Sequence, residues 1–76
     1  MKSMIIKLDS IDKVKIFVNL INRFEGDVDL ASNRYVVDAK SIMGIFSLNL
    51  SEPLTLKVYN EAEFDEIAKQ LAEYVV

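Results

Sequence analysis

Apolar residues recur at spacings of three and four through the first third of the chain, which predicts an amphipathic helix from Ile11 to about Arg23. Asp9 and Ser10 precede it with oxygens suited to a helix N-terminus. Gly26 follows as a residue able to adopt the left-handed conformation beyond a helix. The face expected to point inward comprises Ile11, Val14, Phe17, Val18, Ile21 and Phe24.

A second amphipathic helix is predicted near the C-terminus, starting after Asn60. The order Asn60-Glu61-Ala62-Glu63 matches a capping box, in which Asn60 accepts a hydrogen bond from the Glu63 amide and Glu63 reaches back to Asn60. The side chains that this helix is expected to bury are Phe64, Ile67, Ala68, Leu71 and Val75.

Four short segments predict strands. Residues 4–8 form an apolar run with one lysine, and residues 54–59 alternate apolar and polar side chains, as is typical of a half-buried strand. Residues 28–32 and 35–37 are joined by Asn33-Arg34, where an asparagine that tolerates positive φ favours a tight hairpin.

Residues 39–48 predict one more helix, which is short and lies between the hairpin and the last strand. Its sequence is unusually apolar and contains a glycine. The Ser41 hydroxyl is placed to cap it by accepting from an amide two or three residues on. Ile45 and Leu48 are the side chains of this segment that are expected to pack into the core. Ile42, Met43 and Phe46 are then either further core residues or an exposed apolar patch.

The predicted order is β-α-β-β-α-β-α, in one domain spanning residues 1–76. An α/β (α+β) open-faced two-layer sandwich, with a four-stranded antiparallel sheet covered on one face by three helices, would bury every amphipathic element. Ferredoxin-like folds share a split β-α-β core of this order, so the pattern alone leaves both topologies open.

Composition narrows the chemistry. The chain has no cysteine and no histidine, so it offers no disulfide, no thiolate nucleophile and no zinc site of the usual kind. The net charge of −3, with scattered basic residues, argues against nucleic-acid binding. Asp9, Ser10 and Asp12 could form a phosphoacceptor or a cation site, but helix capping is the favoured interpretation. No metal or cofactor is expected. The short apolar N-terminal run predicts neither export nor membrane insertion, so a cytoplasmic protein is expected.

The run Lys40-Ser41-Ile42-Met43-Gly44 resembles HPr, the small phosphocarrier of the bacterial sugar phosphotransferase system. The similarity extends without a gap from about residue 12 to residue 50, and more loosely to the C-terminus. It includes residues 23–30 and the hairpin with Asn33, which resemble HPr from Gram-positive bacteria. The extra short helix between the third and fourth strands favours the HPr topology over the ferredoxin-like one.

The chain departs from HPr where the phosphorelay histidine would lie. The family pattern Gly-x-His-x-Arg-Pro faces Asp9-Ser10-Ile11-Asp12-Lys13, which places Ser10 at the histidine and Asp12 at the arginine. A serine is a poor phosphoryl acceptor beside an imidazole, and a carboxylate adds negative charge where a phosphate must be tolerated. Histidine phosphorelay, and enzymatic activity in general, are therefore not expected.

The resemblance implies other roles for the short helix predicted at residues 39–48. In Gram-positive HPr and its catabolite-repression paralogue, the serine that matches Ser41 is phosphorylated by an ATP-dependent HPr kinase, and the product binds a catabolite control protein. The residues that match Ile42, Met43 and Phe46 form an apolar patch for protein partners. A regulatory or adaptor protein is the leading interpretation. The alternative is a divergent protein-binding module or subunit unrelated to sugar transport.

Overall fold

The computed structural model describes residues 1–75, and its elements follow the predicted order. They are β1 (Lys2–Ile6), α1 (Ile11–Ile21), β2 (Val28–Ala31), β3 (Val36–Asp38), α2 (Ile42–Phe46), β4 (Leu54–Val58) and α3 (Glu61–Gln70). A short 3-10 helix, Ala72–Tyr74, comes after α3 and was not predicted. The β-α-β-β-α-β-α order is confirmed.

The four strands form one antiparallel sheet in the order β1-β4-β2-β3. Leu56 in β4 pairs with Met4 of β1 on one side and with Leu30 of β2 on the other. Burial alternates along β4, as predicted: Leu54, Leu56 and Val58 are buried and the residues between them are half-buried. One sheet face therefore packs on the helices and the other is open, which confirms the open-faced sandwich.

The first strand begins and ends two residues earlier than predicted. Ile6 pairs with Leu54 as the last residue of the β1–β4 ladder, and the Lys7 amide then donates to the Tyr74 carbonyl at 2.9 Å. Leu8 lies outside the strand but is fully buried. The apolar run at residues 4–8 therefore combined a strand end with a core residue in the following loop.

The predicted inward face of α1 is confirmed at the centre of the helix and is wrong at its first residue. Val14, Phe17 and Ile21 are buried, whereas Ile11 is 61% exposed because the first turn of the helix is not covered by the core. The helix ends at Ile21 rather than near Arg23. The chain there tightens into turns in which the amides of residues 23 and 24 donate to carbonyls three residues earlier.

Gly26 is required for close approach and not for an unusual backbone angle. Neither glycine of the chain has a positive φ, so the expected left-handed conformation is wrong. A Cβ at Gly26 would lie 2.6 Å from Glu63 Oε1 and 2.7 Å from Asn60 Cβ. The Glu63 carboxylate accepts from the amides of Gly26 at 3.1 Å and Glu25 at 3.3 Å.

This tertiary contact also corrects the predicted capping box. Asn60 caps α3, but its side chain accepts from the Ala62 amide at 3.1 Å and not from Glu63. Glu63 is directed to the α1–β2 loop instead of back to Asn60, because two free loop amides lie within its reach.

The β2–β3 connection has Asn33-Arg34 at its tip, as predicted, although β2 ends one residue earlier and β3 begins one residue later than predicted. The strands end at the pair Ala31 and Val36, and the connection is closed by the Ser32 amide donating to the Tyr35 carbonyl at 2.8 Å. The Tyr35 amide donates in turn to Ser32 Oγ at 3.3 Å. Within residues 1–75 no side-chain-bearing residue has a positive φ, so the turn at Asn33-Arg34 forms without the positive φ expected at Asn33.

The last helix is shorter than its apolar pattern. It ends at Gln70, and Val75 lies in extended backbone beyond the 3-10 helix, where it is exposed and forms an isolated bridge with Ile6. Ile67 and Leu71 are buried, and Phe64 and Ala68 are half-buried. No helix within residues 1–75 is long and apolar enough to cross a membrane.

Candidate partner-binding site

Ser41 caps α2 in the way that its position predicted. Its backbone is extended, with φ −100° and ψ 107°, and its Oγ accepts from the Gly44 amide at 3.2 Å. The Ser41 amide donates to the Asp38 carbonyl at 3.0 Å, which joins the cap to the end of β3. The serine hydroxyl is solvent-exposed as well as hydrogen-bonded.

Lys40 anchors the residues before α2 to a distant part of the chain. Its amide donates to Asp38 Oδ1 at 2.9 Å, and its ammonium donates to the Phe24 carbonyl at 2.6 Å in a part-buried contact. That carbonyl lies just beyond α1. The lysine therefore ties the start of α2 to the end of α1, and its charge is directed away from the α2 cap.

The glycine of α2 allows the helix to lie close to β3. A Cβ at Gly44 would be 3.2 Å from Val37 Cβ and 3.4 Å from Ser41 Oγ. The core side of the helix is supplied by Ile45, which is fully buried, and by Leu48 just beyond the helix. A five-residue helix has little stability of its own, so α2 depends on this packing and on its cap.

The three predicted patch residues differ in burial. Met43 is 78% exposed and Phe46 is 41% exposed, so both lie on the surface. Ile42 is half-buried and packs against the core. The outer side of α2 is therefore an apolar surface formed by Met43 and Phe46 with a partly exposed Ile42, here called the α2 patch.

Ser10 caps α1 by the same local geometry as Ser41 caps α2. Ser10 Oγ accepts from the Lys13 amide at 3.1 Å, and the Lys13 ammonium lies 2.8 Å from Asp9 Oδ1. The hydrogen bond from Lys13, and then its positive charge, lowers the pKa of the Asp9 carboxyl below its ordinary value, while the same pair raises the pKa of Lys13. Asp12 is exposed in the first turn.

The contacts at Ser10 support helix capping over a cation site. Asp9 is already paired with a lysine, and Ser10 accepts from a backbone amide. Among residues 1–75 there is no group of three His, Cys, Asp or Glu side chains placed to hold a metal ion.

Two exposed isoleucines of α1 were missed by the sequence reasoning. Ile11 was assigned to the core, and Ile16 was not considered, yet both are exposed on a helix that packs against α2. Ile16 lies outside the inward face of α1, and this position in the helical pattern could have predicted its exposure. The role of Glu63 in holding the α1–β2 loop had no local signal.

The sheet order, the open face and the short capped helix between β3 and β4 define an HPr-like open-faced sandwich. The family model described as "PTS HPr component phosphorylation site" matches residues 13–75. The chain belongs to the HPr family. The matched range begins after Ser10 and Asp12, the positions at which the resemblance predicts a departure from the family pattern.

Similar proteins support the same family. The chain is 39% identical over 61 residues to the HPr-like protein Crh of Bacillus subtilis, covering 79% of this chain and 72% of Crh. A solved Crh structure, described as a catabolite repression protein in an intertwined, swapped dimer, matches with 35% identity and a TM-score of 0.67, covering 91% of this chain and 79% of that one.

Two HPr structures also match. HPr-C-His from Thermoanaerobacter tengcongensis has a TM-score of 0.80 and 26% identity, covering 96% of this chain and 89% of that chain. HPr from Bacillus anthracis has a TM-score of 0.73 and 29% identity, covering 99% and 94%. The chain is thus similar both to HPr, a phosphocarrier protein, and to Crh, a catabolite repression protein.

Proposed function

We propose that this HPr-family protein is a regulatory or adaptor protein that acts by protein contact through the α2 patch, with Ser41 as its phosphorylation switch. The observation that carries the proposal is the exposure of Met43, at 78%, two residues from a solvent-exposed capping serine. An apolar side chain that the core does not use is a candidate anchor for a partner. The relationship to Crh favours a role in carbon catabolite regulation.

Histidine phosphorelay is not part of the proposed function, and neither is catalysis. The 76 residues contain no histidine, and Ser10 is engaged as the cap of α1. Asp12 supplies negative charge in the first turn of that helix, where a phosphoryl group would need cations. Incubation with labelled phosphoenolpyruvate and Enzyme I is expected to leave the chain unlabelled while it labels an HPr control.

Phosphorylation at Ser41 would change the α2 patch in a specific way. The hydroxyl is exposed, and the Gly44 amide that it now accepts from would face the new phosphate. An added dianion beside Met43 and Phe46 would turn an apolar surface into a mixed one that suits a partner with apolar and basic groups. An HPr kinase and a catabolite control protein are the proposed partners, in the cytoplasm.

The kinase step is tested directly with purified HPr kinase and ATP. Incorporation is expected in the wild type and is expected to be absent in Ser41→Ala. The matched control is Ser47→Ala, because Ser47 ends the same helix and donates to the Gly44 carbonyl at 2.6 Å. Labelling of an HPr control with no labelling of this chain would overturn the switch.

The contact surface is tested by binding of a purified catabolite control protein to wild type, Ser41→Asp and Phe46→Ala. The proposal predicts stronger binding for Ser41→Asp and loss of binding when Phe46→Ala is added. Val75→Ala is the matched control, because Val75 is an exposed apolar residue beyond the 3-10 helix, away from α2. Equal binding by all variants would argue against the α2 patch.

The second candidate function is a protein-binding module unrelated to sugar transport. The departures at Ser10 and Asp12 favour it, since the family's arginine is lost together with its histidine. This candidate predicts that no kinase modifies Ser41 and that no catabolite control protein binds Ser41→Asp, while some other partner still depends on Phe46. The two experiments above therefore separate the candidates.

A further inference from the structure

The open face of the sheet carries a row of four paired residues with large apolar side chains at both ends. Ile5 pairs with Thr55, Thr55 with Ala31, and Ala31 with Val36. Directly paired residues point to the same face of a sheet. The neighbouring residues Ile6, Leu54, Leu30 and Val37 point to the core side, so the row lies on the face opposite the helices. The four paired residues on the open face, Ile5, Thr55, Ala31 and Val36, are called the sheet row.

The apolar ends of the sheet row are well exposed. Ile5 is 51% exposed on the edge strand β1, and Val36 is 58% exposed on the other edge strand, β3. Between these ends Ala31 is buried and Thr55, the polar member of the row, is half-buried. Large apolar side chains on both edge strands carry a risk of unwanted association, which small domains usually avoid with charges.

A second row on the same face carries an excess of negative charge. Lys57 pairs with Asp29, and Asp29 pairs with Asp38, so two carboxylates lie directly opposite each other. Like charges at such positions destabilise a sheet. The Tyr59 hydroxyl donates to Asp29 Oδ2 at 2.7 Å, and this hydrogen bond raises the pKa of Tyr59. A 230 Å³ depression at this end is lined by Asp27, Val28, Asp29, Asp38 and Tyr59.

We infer that the open sheet face binds a basic segment of another protein, with an apolar side chain over the sheet row and a lysine or arginine over Asp29 and Asp38. The row supplies apolar area, and the facing carboxylates favour a cation. Within residues 1–75 Asp38 has no ion-pair partner, and its Oδ1 accepts from the Lys40 amide at 2.9 Å. A second copy of this chain would bring like carboxylates together, and nucleic acids and acidic lipids would add negative charge.

This surface is independent of the proposed function. Ile45 of α2 packs into the core on the helical side of the sheet, whereas the sheet row lies on the opposite side. A partner could therefore occupy the sheet face while the α2 patch remains free, and failure of either proposal leaves the other standing.

The test uses the full chain, labelled with ¹⁵N, and two short synthetic peptides. One alternates leucine and lysine, and the other alternates leucine and glutamate. The lysine peptide is expected to shift the amide signals of Asp29, Val36 and Thr55 and to saturate, whereas the glutamate peptide is expected to shift none of them. Raised salt should weaken the lysine complex, since its charges are partly exposed.

Matched variants separate the sheet face from general charge attraction. Asp29→Asn keeps an oxygen for the Tyr59 hydroxyl, and Val36→Thr keeps β-branching; each is expected to weaken binding about threefold to tenfold. Asp65→Asn on α3 makes the same chemical change at an exposed position elsewhere, and Ile16→Thr on α1 likewise places threonine at an exposed β-branched apolar position; both should leave affinity unchanged. The free-protein spectra report whether each variant is folded.

Three results would overturn the inference. Equal weakening by the control variants would indicate attraction to overall charge. Shifts confined to Met43 and Phe46 would place the peptide on the α2 patch. Concentration-dependent shifts of the sheet-row amides without peptide would show that a second copy occupies this face.

Discussion

The N-termini of α1 and α2 have nearly the same local geometry and very different surroundings. In each, a serine Oγ accepts from the amide three residues on, at 3.1 Å for Ser10 and 3.2 Å for Ser41. Ser10 is flanked by Asp9, Asp12 and Lys13, whose contacts are local. Ser41 lies beside exposed Met43. The same cap thus begins a charged, self-contained turn in one helix and an apolar surface in the other.

The difference also extends to what holds each helix in place. The 11-residue α1 buries three side chains, whereas the five-residue α2 buries only Ile45. Lys40 adds a long-range tie from the start of α2 to the Phe24 carbonyl. A short helix that depends on tertiary contacts can present side chains that an isolated helix of this length could not hold in place.

The largest expected effect is on the core contact of α2. Ile45→Ala should lower the free energy of unfolding by about 2–5 kcal/mol, because it removes buried methyl groups and leaves a cavity. Ile11→Ala, at the exposed start of α1, should change it by less than about 0.5 kcal/mol. Urea unfolding measures both. A similar loss from Ile11→Ala would show that the first turn of α1 is packed in solution.

The two caps should contribute alike to stability and differently to binding. Ser10→Ala and Ser41→Ala should each lower the unfolding free energy by about 1 kcal/mol, since each leaves one helix amide without its side-chain acceptor. In a binding assay with the proposed catabolite control protein and kinase-treated samples, only Ser41→Ala should abolish the complex. Loss of binding in Ser10→Ala at unchanged stability would extend the site to α1.

The lysine ties of the two helices should differ in strength. Lys40→Met removes a part-buried hydrogen bond to the Phe24 carbonyl and should cost about 0.5–1.5 kcal/mol. Lys13→Met breaks an exposed pair with Asp9 and should cost less, because solvent screens it. Thermal unfolding of both variants gives the order. A larger loss from Lys13→Met would reverse this part of the comparison.

The smallest expected effect is on the titration of Asp9. Its folded pKa is lowered below the ordinary 3.8, so the ion pair stabilises the fold above that value and is lost as pH falls through the lower folded pKa. Carbon-detected NMR titration should show the lowered pKa in wild type and an ordinary one in Lys13→Met. Glu66→Gln, away from this pair, serves as the control.

Local patterning predicted most of the elements, and long-range contacts account for most of the errors. The alternation in β4 and the Ser41 cap depend on neighbours in sequence, and both were predicted correctly. Glu63 was assigned to its own helix end, but it accepts from Gly26, 37 residues earlier. A capping box and a tertiary contact use the same carboxylate, so the sequence pattern could not choose between them.

The candidate site shows the same division. The sequence proposed Ser41, Met43 and Phe46 as candidates, because the residues match the family motif and because Ile45 and Leu48 already fill the core side of the helix. The sequence could not say which patch residue is the most exposed, since exposure depends on the tertiary packing around the helix. Met43 is much more exposed than Ile42. The exposed Ile11 was missed because helical periodicity defines a face and does not say where along the helix the core ends.

By itself, the sequence determined the order of elements, the serine caps and the lack of a histidine among the 76 residues, since each depends on residue type and short-range spacing. The tertiary structure decided the sheet register, the direction of Lys40 and Glu63, and which apolar side chains remain in solvent. These depend on contacts between residues far apart in the chain, whose energies no local pattern records.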